Sequence, residues 1–132
     1  MLTGARFGTS DIKRAIAFYD AIAVILGATR VIDRHGMAAW RGTTGELFVV
    51  GTPRAGEASA GNGSQVMFAA PGRDAVSEAH ARALELGGAS EGEPGPRGSP
   101  ENGVFAAYFR DPDGNKVMVL HTAPTGAAHS TP

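Results

Sequence analysis

The chain has no cysteine among its 132 residues, which excludes disulfides, thiolate nucleophiles and Cys-ligated zinc. It also lacks an excess of either charge: 12 Lys and Arg stand against 13 Asp and Glu, mixed along the sequence. A nucleic-acid or anionic-membrane partner would favour a basic patch, so neither is expected. No apolar run approaches the ~20 residues that a membrane span needs. The N-terminus shows no basic flank leading into an apolar signal segment, and a cytoplasmic protein is expected. No Ser-His-Asp or Cys-His arrangement is discernible, and no glycine-rich phosphate loop precedes a helix. What is present suits one compact domain with a moderate core: 42% of the residues are apolar and 19% charged. Only the closing "APTGAAHSTP" is expected to be frayed and flexible.

A diverged duplication runs through the chain. "GARFGTSDIKRAIAFYDAIAVILGATR" from Gly4 and "QVMFAAPGRDAVSEAHARALELGGASE" from Gln65 share a layout of short apolar run, turn, amphipathic segment and Gly-Ala stop. At a constant offset, Phe7 matches Phe68, Ala15 the apolar Val76, Gly27 Gly88 and Ala28 Ala89. Each copy begins as a strand followed by a helix. In the first helix Ile12, Ala15, Ile16, Tyr19, Ile22, Ala23 and Leu26 recur at three- and four-residue steps, with Lys13, Arg14 and Asp20 off that stripe. Ser10 or Asp11 can cap its start, and Gly27 suits its end. The second helix is expected from about Asp74 to Leu86, with Val76, Ala79, Ala83 and Leu86 inward. Three β-like runs follow each helix: about 29–34, 37–41 and 46–51, then 89–93, 104–110 and 115–121, with "EPGPRGSPENG" as a loop. The expected fold is α+β: two βαβββ modules forming a cup-shaped, eight-stranded mixed sheet with a helix behind each module. Module 1 covers about 1–51, a linker about 52–63, and module 2 about 64–122, within a single domain.

This duplication, with "TSDIKRAIAFYDAI", "FAAPGRDAV" and "PGPR…FAAYFRDPDGN" at corresponding places, resembles the vicinal oxygen chelate superfamily of glyoxalase I, bleomycin-resistance proteins and extradiol dioxygenases. The resemblance implies a cup in which enzymes of the superfamily hold a metal through His, Gln or Glu on the first and last strands of each module. Carried over position by position, those places hold Gly4, about Val49, Gln65 and Met118. Gly and Val offer no donor, and a thioether is too soft for a hard divalent ion. Gln65 alone is one neutral oxygen, whereas catalytic sites use about three protein ligands. No metal cofactor is therefore expected at the usual place.

Other polar residues do not restore a ligand set. His35 falls in a turn, His80 on the second helix, His121 at the end of the last strand and His129 in the tail, all expected at the surface or the edge of the core. Glu46 is expected to be solvated. Asp111 and Asp113 belong to the DPDG turn, where Asp bonds the backbone and Gly114 supplies positive φ.

Strand alternation gives the remaining candidates. If Gly4, Gln65 and Met118 face the cup, so do Arg6, Gly8, Met67, Ala69, Lys116, Leu120, Leu47 and Val49, while Phe7, Val66, Phe68, Val117 and Val119 pack under the helices. Arg6 and Lys116 then place two cations on a mainly apolar face. The expected ligand-binding set is Arg6, Gln65, Met67, Lys116, Met118 and Val49, with Trp40 and Tyr108 as candidate walls; no catalytic residue can be assigned. The expected function is metal-independent binding of a small, partly apolar molecule with an anionic or polar head. The alternative is a glyoxalase-like lyase, an isomerase or a dioxygenase with shifted metal ligands or metal-free acid/base chemistry. Exposed sheet edges and the resemblance together suggest a homodimer, and the linker can span ~40 Å extended, so the cup can be built within one chain or across two.

Overall fold

The structure is a computed structural model and describes residues 1–98 and 103–123. The expected fraying of the C-terminal tail, with His129, lies outside the described residues apart from Ala123. Among the described residues, ten elements follow the βαβββ order twice. The first module comprises β1 (Gly4–Gly8), α1 (Ile12–Leu26), β2 (Thr29–Arg34), β3 (Met37–Arg41) and β4 (Leu47–Gly51). The second comprises β5 (Val66–Ala69), α2 (Arg73–Glu85), β6 (Ala89–Arg97), β7 (Val104–Arg110) and β8 (Lys116–Thr122). The eight strands form two mixed four-stranded sheets, ordered β1-β4-β3-β2 and β5-β8-β7-β6. In each, the strand before the helix pairs in parallel with the last strand of its module, and the other pairings are antiparallel.

The start of α1 is set by Asp11, whose carboxylate accepts from the Arg14 amide at 3.2 Å, and its end by Gly27 at φ 83. The duplicated helix ends differently. The left-handed residue after α2 is Gly87 at φ 96, one position before the residue that aligns with Gly27. Gly88 serves another purpose: a Cβ there would lie 2.6 Å from the Arg110 carbonyl oxygen and 2.9 Å from that of Ala83. It is where the chain passes closely between helix and sheet.

β6 departs from expectation. The strand runs through Pro94 and Pro96 to Arg97 instead of stopping near residue 93, with register shifts either side of Gly92. It is the outer strand of its sheet, where a missing proline N–H leaves no ladder partner unpaired.

Alternation sorts the strands into two faces. Phe7, Val50, Ala38 and Trp40 in the first sheet, with Val117, Val119, Ala107 and Phe109 in the second, are buried under the helices in one shared hydrophobic core. α1 buries more than the stripe read from its spacing. Phe18, outside that stripe, is 1% exposed because it meets Phe109 of the second module with ring centroids 5.9 Å apart. Phe48 is the aromatic hub: its ring lies 4.8 Å from Tyr19, 5.0 Å from Phe68, 5.6 Å from Phe7 and 6.0 Å from Trp40. The modules are thus joined by apolar packing behind the sheets.

Candidate functional site

The register settles the fourth aligned position. Val49 pairs with Arg6 as Met118 pairs with Met67, and Arg6 and Met67 are themselves related by the duplication. Val49 is therefore the counterpart of Met118. Gly4, Val49 and Met118 all share the parity of the faces turned away from the helices, with Gln65 immediately before β5. Together they supply one oxygen donor. Among the described residues, no three His, Asp or Glu side chains come together to hold a metal ion. The residues at the usual places do not fit a bound divalent ion.

Arg6 lies on the open face of β1, its guanidinium donating to the Thr52 carbonyl at 3.3 Å and reaching the Met37 sulfur at 3.7 Å. Gly51 makes this placement possible, since a Cβ there would stand 2.8 Å from the Arg6 Nη2. On the second sheet, Tyr108 pairs with Met118 and covers Gly92 across the ladder. Its ring carries the Lys116 ammonium 5.3 Å from its centroid and the Arg97 guanidinium at 5.7 Å, so the aromatic face positions two cations. Among the described residues neither Arg6 nor Lys116 is paired with a carboxylate.

Trp40, a candidate wall of the cup, is part of the core and also borders an apolar hollow. It is 3% exposed on the helix side of β3, and its indole Nε1 donates to Asp20 at 2.9 Å. His80 is also more buried than expected, at 3% exposure, with Nε2 and the Ser90 hydroxyl 2.9 Å apart. The duplication explains both burial and polarity here: His80 occupies the place of Tyr19, another buried ring whose polar tip needs a partner. His35, at φ 53 in the β2–β3 turn, and Glu46 are exposed as anticipated, and His121 Nδ1 lies 3.1 Å from the Ala70 carbonyl.

The DPDG turn does more than reverse the chain. Asp111 accepts from the amides of Asp113 and Asn115 at 2.9 Å each, and also from the Tyr19 hydroxyl at 2.7 Å. Burial, then the Asp111 charge, push the Tyr19 phenol well above its ordinary pKa, so it is a neutral donor. Asp113 reaches across to the other module. It accepts from the Thr9 hydroxyl, from the Ser10 amide and hydroxyl at 2.9 Å each, and from Arg14 at 2.9 Å. Burial alone would raise its pKa, but the Thr9 and Ser10 hydrogen bonds and the Arg14 charge outweigh this and hold it low. Asn115 completes the clamp by donating to the Gly8 carbonyl at 3.0 Å.

Two hollows lie where the modules meet. One, of about 460 Å³, has Tyr19, Phe48 and Phe68 as its floor and is flanked by Ala5, Leu26 and Ala69. The other, of about 290 Å³, is polar and lined by Arg6, Ser59, Ser64, Asn115 and Lys116. Gln65 and Val66 border both. Of the expected ligand set, Arg6, Gln65 and Lys116 meet in the polar hollow, while Met67 and Trp40 line the apolar one. Val49, Met118 and Tyr108 border neither. Ser59 and Ser64 were not singled out by sequence because the linker carries no motif beyond its Gly, Ala and Ser content.

A model of the Glyoxalase/Bleomycin resistance protein/Dioxygenase superfamily matches residues 5–119. Among solved structures, the chain is similar to a glyoxalase/bleomycin resistance protein from Albidiferax ferrireducens T118, with 32% identity, 92% of this chain and 98% of that one covered, and a TM-score of 0.84. It shares the fold of a glyoxalase/bleomycin resistance protein/dioxygenase family enzyme from Burkholderia phytofirmans PsJN at 14% identity, with 92% and 98% coverage and a TM-score of 0.71. A glyoxylase/bleomycin resistance protein/dioxygenase domain from Frankia sp. EAN1pec is alike at 14% identity, with 93% and 98% coverage and a TM-score of 0.70. No curated protein matches the chain.

Proposed function

The chain belongs to the Glyoxalase/Bleomycin resistance protein/Dioxygenase superfamily, and we propose that within it this protein binds a small, partly apolar anion without a metal. One observation carries the reading. The four positions corresponding to the superfamily's metal ligands are Gly4, Val49, Gln65 and Met118, and they present a single neutral oxygen on the open strand faces. A divalent ion held by one such donor would keep its water shell. The charge available for recognition is instead that of Arg6 and Lys116, both bordering one polar hollow. A cytoplasmic setting belongs to the same proposal; no helix among the described residues is long and apolar enough to cross a membrane.

Metal analysis tests this directly. Protein purified without chelator is expected to carry far less than one Zn, Mn, Ni or Fe per chain, and added metal is expected to leave the melting temperature unchanged. A stoichiometric ion in the cup, with activity that chelation abolishes, would return the protein to the lyases and dioxygenases.

We further propose a homodimer. Met67 is 63% exposed on the open face of β5, and β1 and β5 are both outer strands, a combination that favours cover by a second copy. Sedimentation equilibrium should give twice 13.5 kDa. A single species at the chain mass across micromolar concentrations would refute it.

A further inference from the structure

β1 and β5 are the outer strands of separate sheets and share no ladder. The gap between them is lined by Gly4, Ala5 and Ala69 in one hollow and by Gly8 in the other. One end of this seam is apolar and sits over Tyr19, Phe48 and Phe68. The other end is polar and holds Arg6, Lys116 and the hydroxyl-bearing Ser59 and Ser64 of the linker. Gln65 and Val66 border both ends, so the hollows abut at the start of β5.

From this we infer that the seam between the modules is the binding site, and that it takes a carboxylate carrying an apolar chain or ring. The inference rests on the proposed anion-binding function and adds where the ligand lies and how it is oriented. The head group sits between Arg6 and Lys116. Both have charge to offer: Lys116 is held over Tyr108 and Arg6 makes one bond to a backbone carbonyl, so an arriving carboxylate breaks no ion pair among the described residues. The tail runs past Val66 into a hollow whose volume of about 460 Å³ falls within the range of small-ligand pockets. Among the described residues, the ionisable side chains on that hollow are the exposed Glu46 and the neutral Tyr19. A second charge on the tail would therefore lack a partner and pay for its desolvation. The linker, with Ser59 and Ser64, is a wall of the site as well as a tether.

Calorimetric titration with octanoate, octanol and acetate tests this on the intact chain and on three variants: Lys116→Met, Arg6→Met and Ala69→Phe. Residues 6, 69 and 116 lie outside the buried core, and each variant's circular dichroism and melting temperature check that it is folded. Octanoate should bind at least tenfold more tightly than either partial ligand. Each charge removal should weaken octanoate about tenfold and leave octanol unchanged. Ala69→Phe, which fills the apolar hollow, should weaken octanoate and octanol but not acetate. If octanoate is no tighter than the better of the two fragments, the hollows are separate and the seam site is refuted. If octanoate depends on Lys116 but responds to Met118→Ala and not to Ala69→Phe, the ligand lies over β8 and not in the seam. Anion binding then survives and the seam does not. If no probe binds and a metal is found, both fall.

Discussion

Asp113 shows how much one side chain of a turn can carry. A DPDG sequence announces a tight reversal, and Asp111 and Gly114 behave as that chemistry requires. Nothing local announces that Asp113 joins Thr9, Ser10 and Arg14, about a hundred positions earlier. Asp113→Asn should cost about 1–2 kcal/mol, the lower part of the range for charge-assisted bonds because Arg14 is 42% exposed. The pH dependence has a definite sign. The folded-state pKa is depressed, so the carboxylate's contribution is present above the unfolded value and is lost as pH falls through the folded one. Urea unfolding at pH 7 and at progressively acidic pH should show a wild-type stability that declines, and a gap to Asp113→Asn that closes. A gap that stays constant would mean that the carboxylate's charge is irrelevant. The candidate ligand residues divide in the same way. Arg6, Gln65, Lys116 and Met67 follow from strand parity, whereas Trp40 does not. Its core position depends on Asp20 of α1 being opposite its indole, a pairing set by helix placement.

The elements were legible almost throughout, because two-residue and 3.6-residue periods are written in the order of side chains. β2, β3 and β7 begin and end at their expected residues, and both helices fall within a residue or so of their stripes. Where the elements departed from expectation, neighbours were responsible. β6 continues through two prolines because it is an outer strand, and Phe18 is buried because α1 faces the second module as well as its own sheet. The glycines after the two helices make a contrast that can be measured. At Gly27 a side chain meets only the Thr43 methyl at 3.7 Å, so Gly27→Ala carries the left-handed backbone penalty of about 1 kcal/mol. Gly88→Ala drives a methyl against two backbone carbonyl oxygens and should be the more destabilising in chemical denaturation, although the two positions align in the duplication. Equal losses would show that the close passage between α2 and β7 yields at little cost.

At the scale of the whole molecule, the modules share one core and a polar clamp. Unfolding should be a single cooperative transition, with calorimetric and van't Hoff enthalpies equal if the proposed assembly is dissociated first. Phe48→Ala removes the ring that touches both modules and should cost about 3 kcal/mol, the low end for a Phe because Phe48 is only partly buried. Retention of wild-type stability in that variant would show that the aromatic hub does not hold the modules together.

The order of residues alone determined the two βαβββ modules, which side of each strand faces the helices, and the identity of the four side chains at the positions of a metal site. The modules and the strand faces follow from periodicity and an internal repeat; the four positions follow only from the resemblance to the superfamily. Only the tertiary structure decided that the modules join through α1 against α2 and the Phe48–Phe68 and Phe18–Phe109 contacts, that the DPDG turn clamps the start of α1, and that linker serines border a hollow with Arg6 and Lys116. These contacts join residues far apart in sequence, where geometry alone brings the chemistry together.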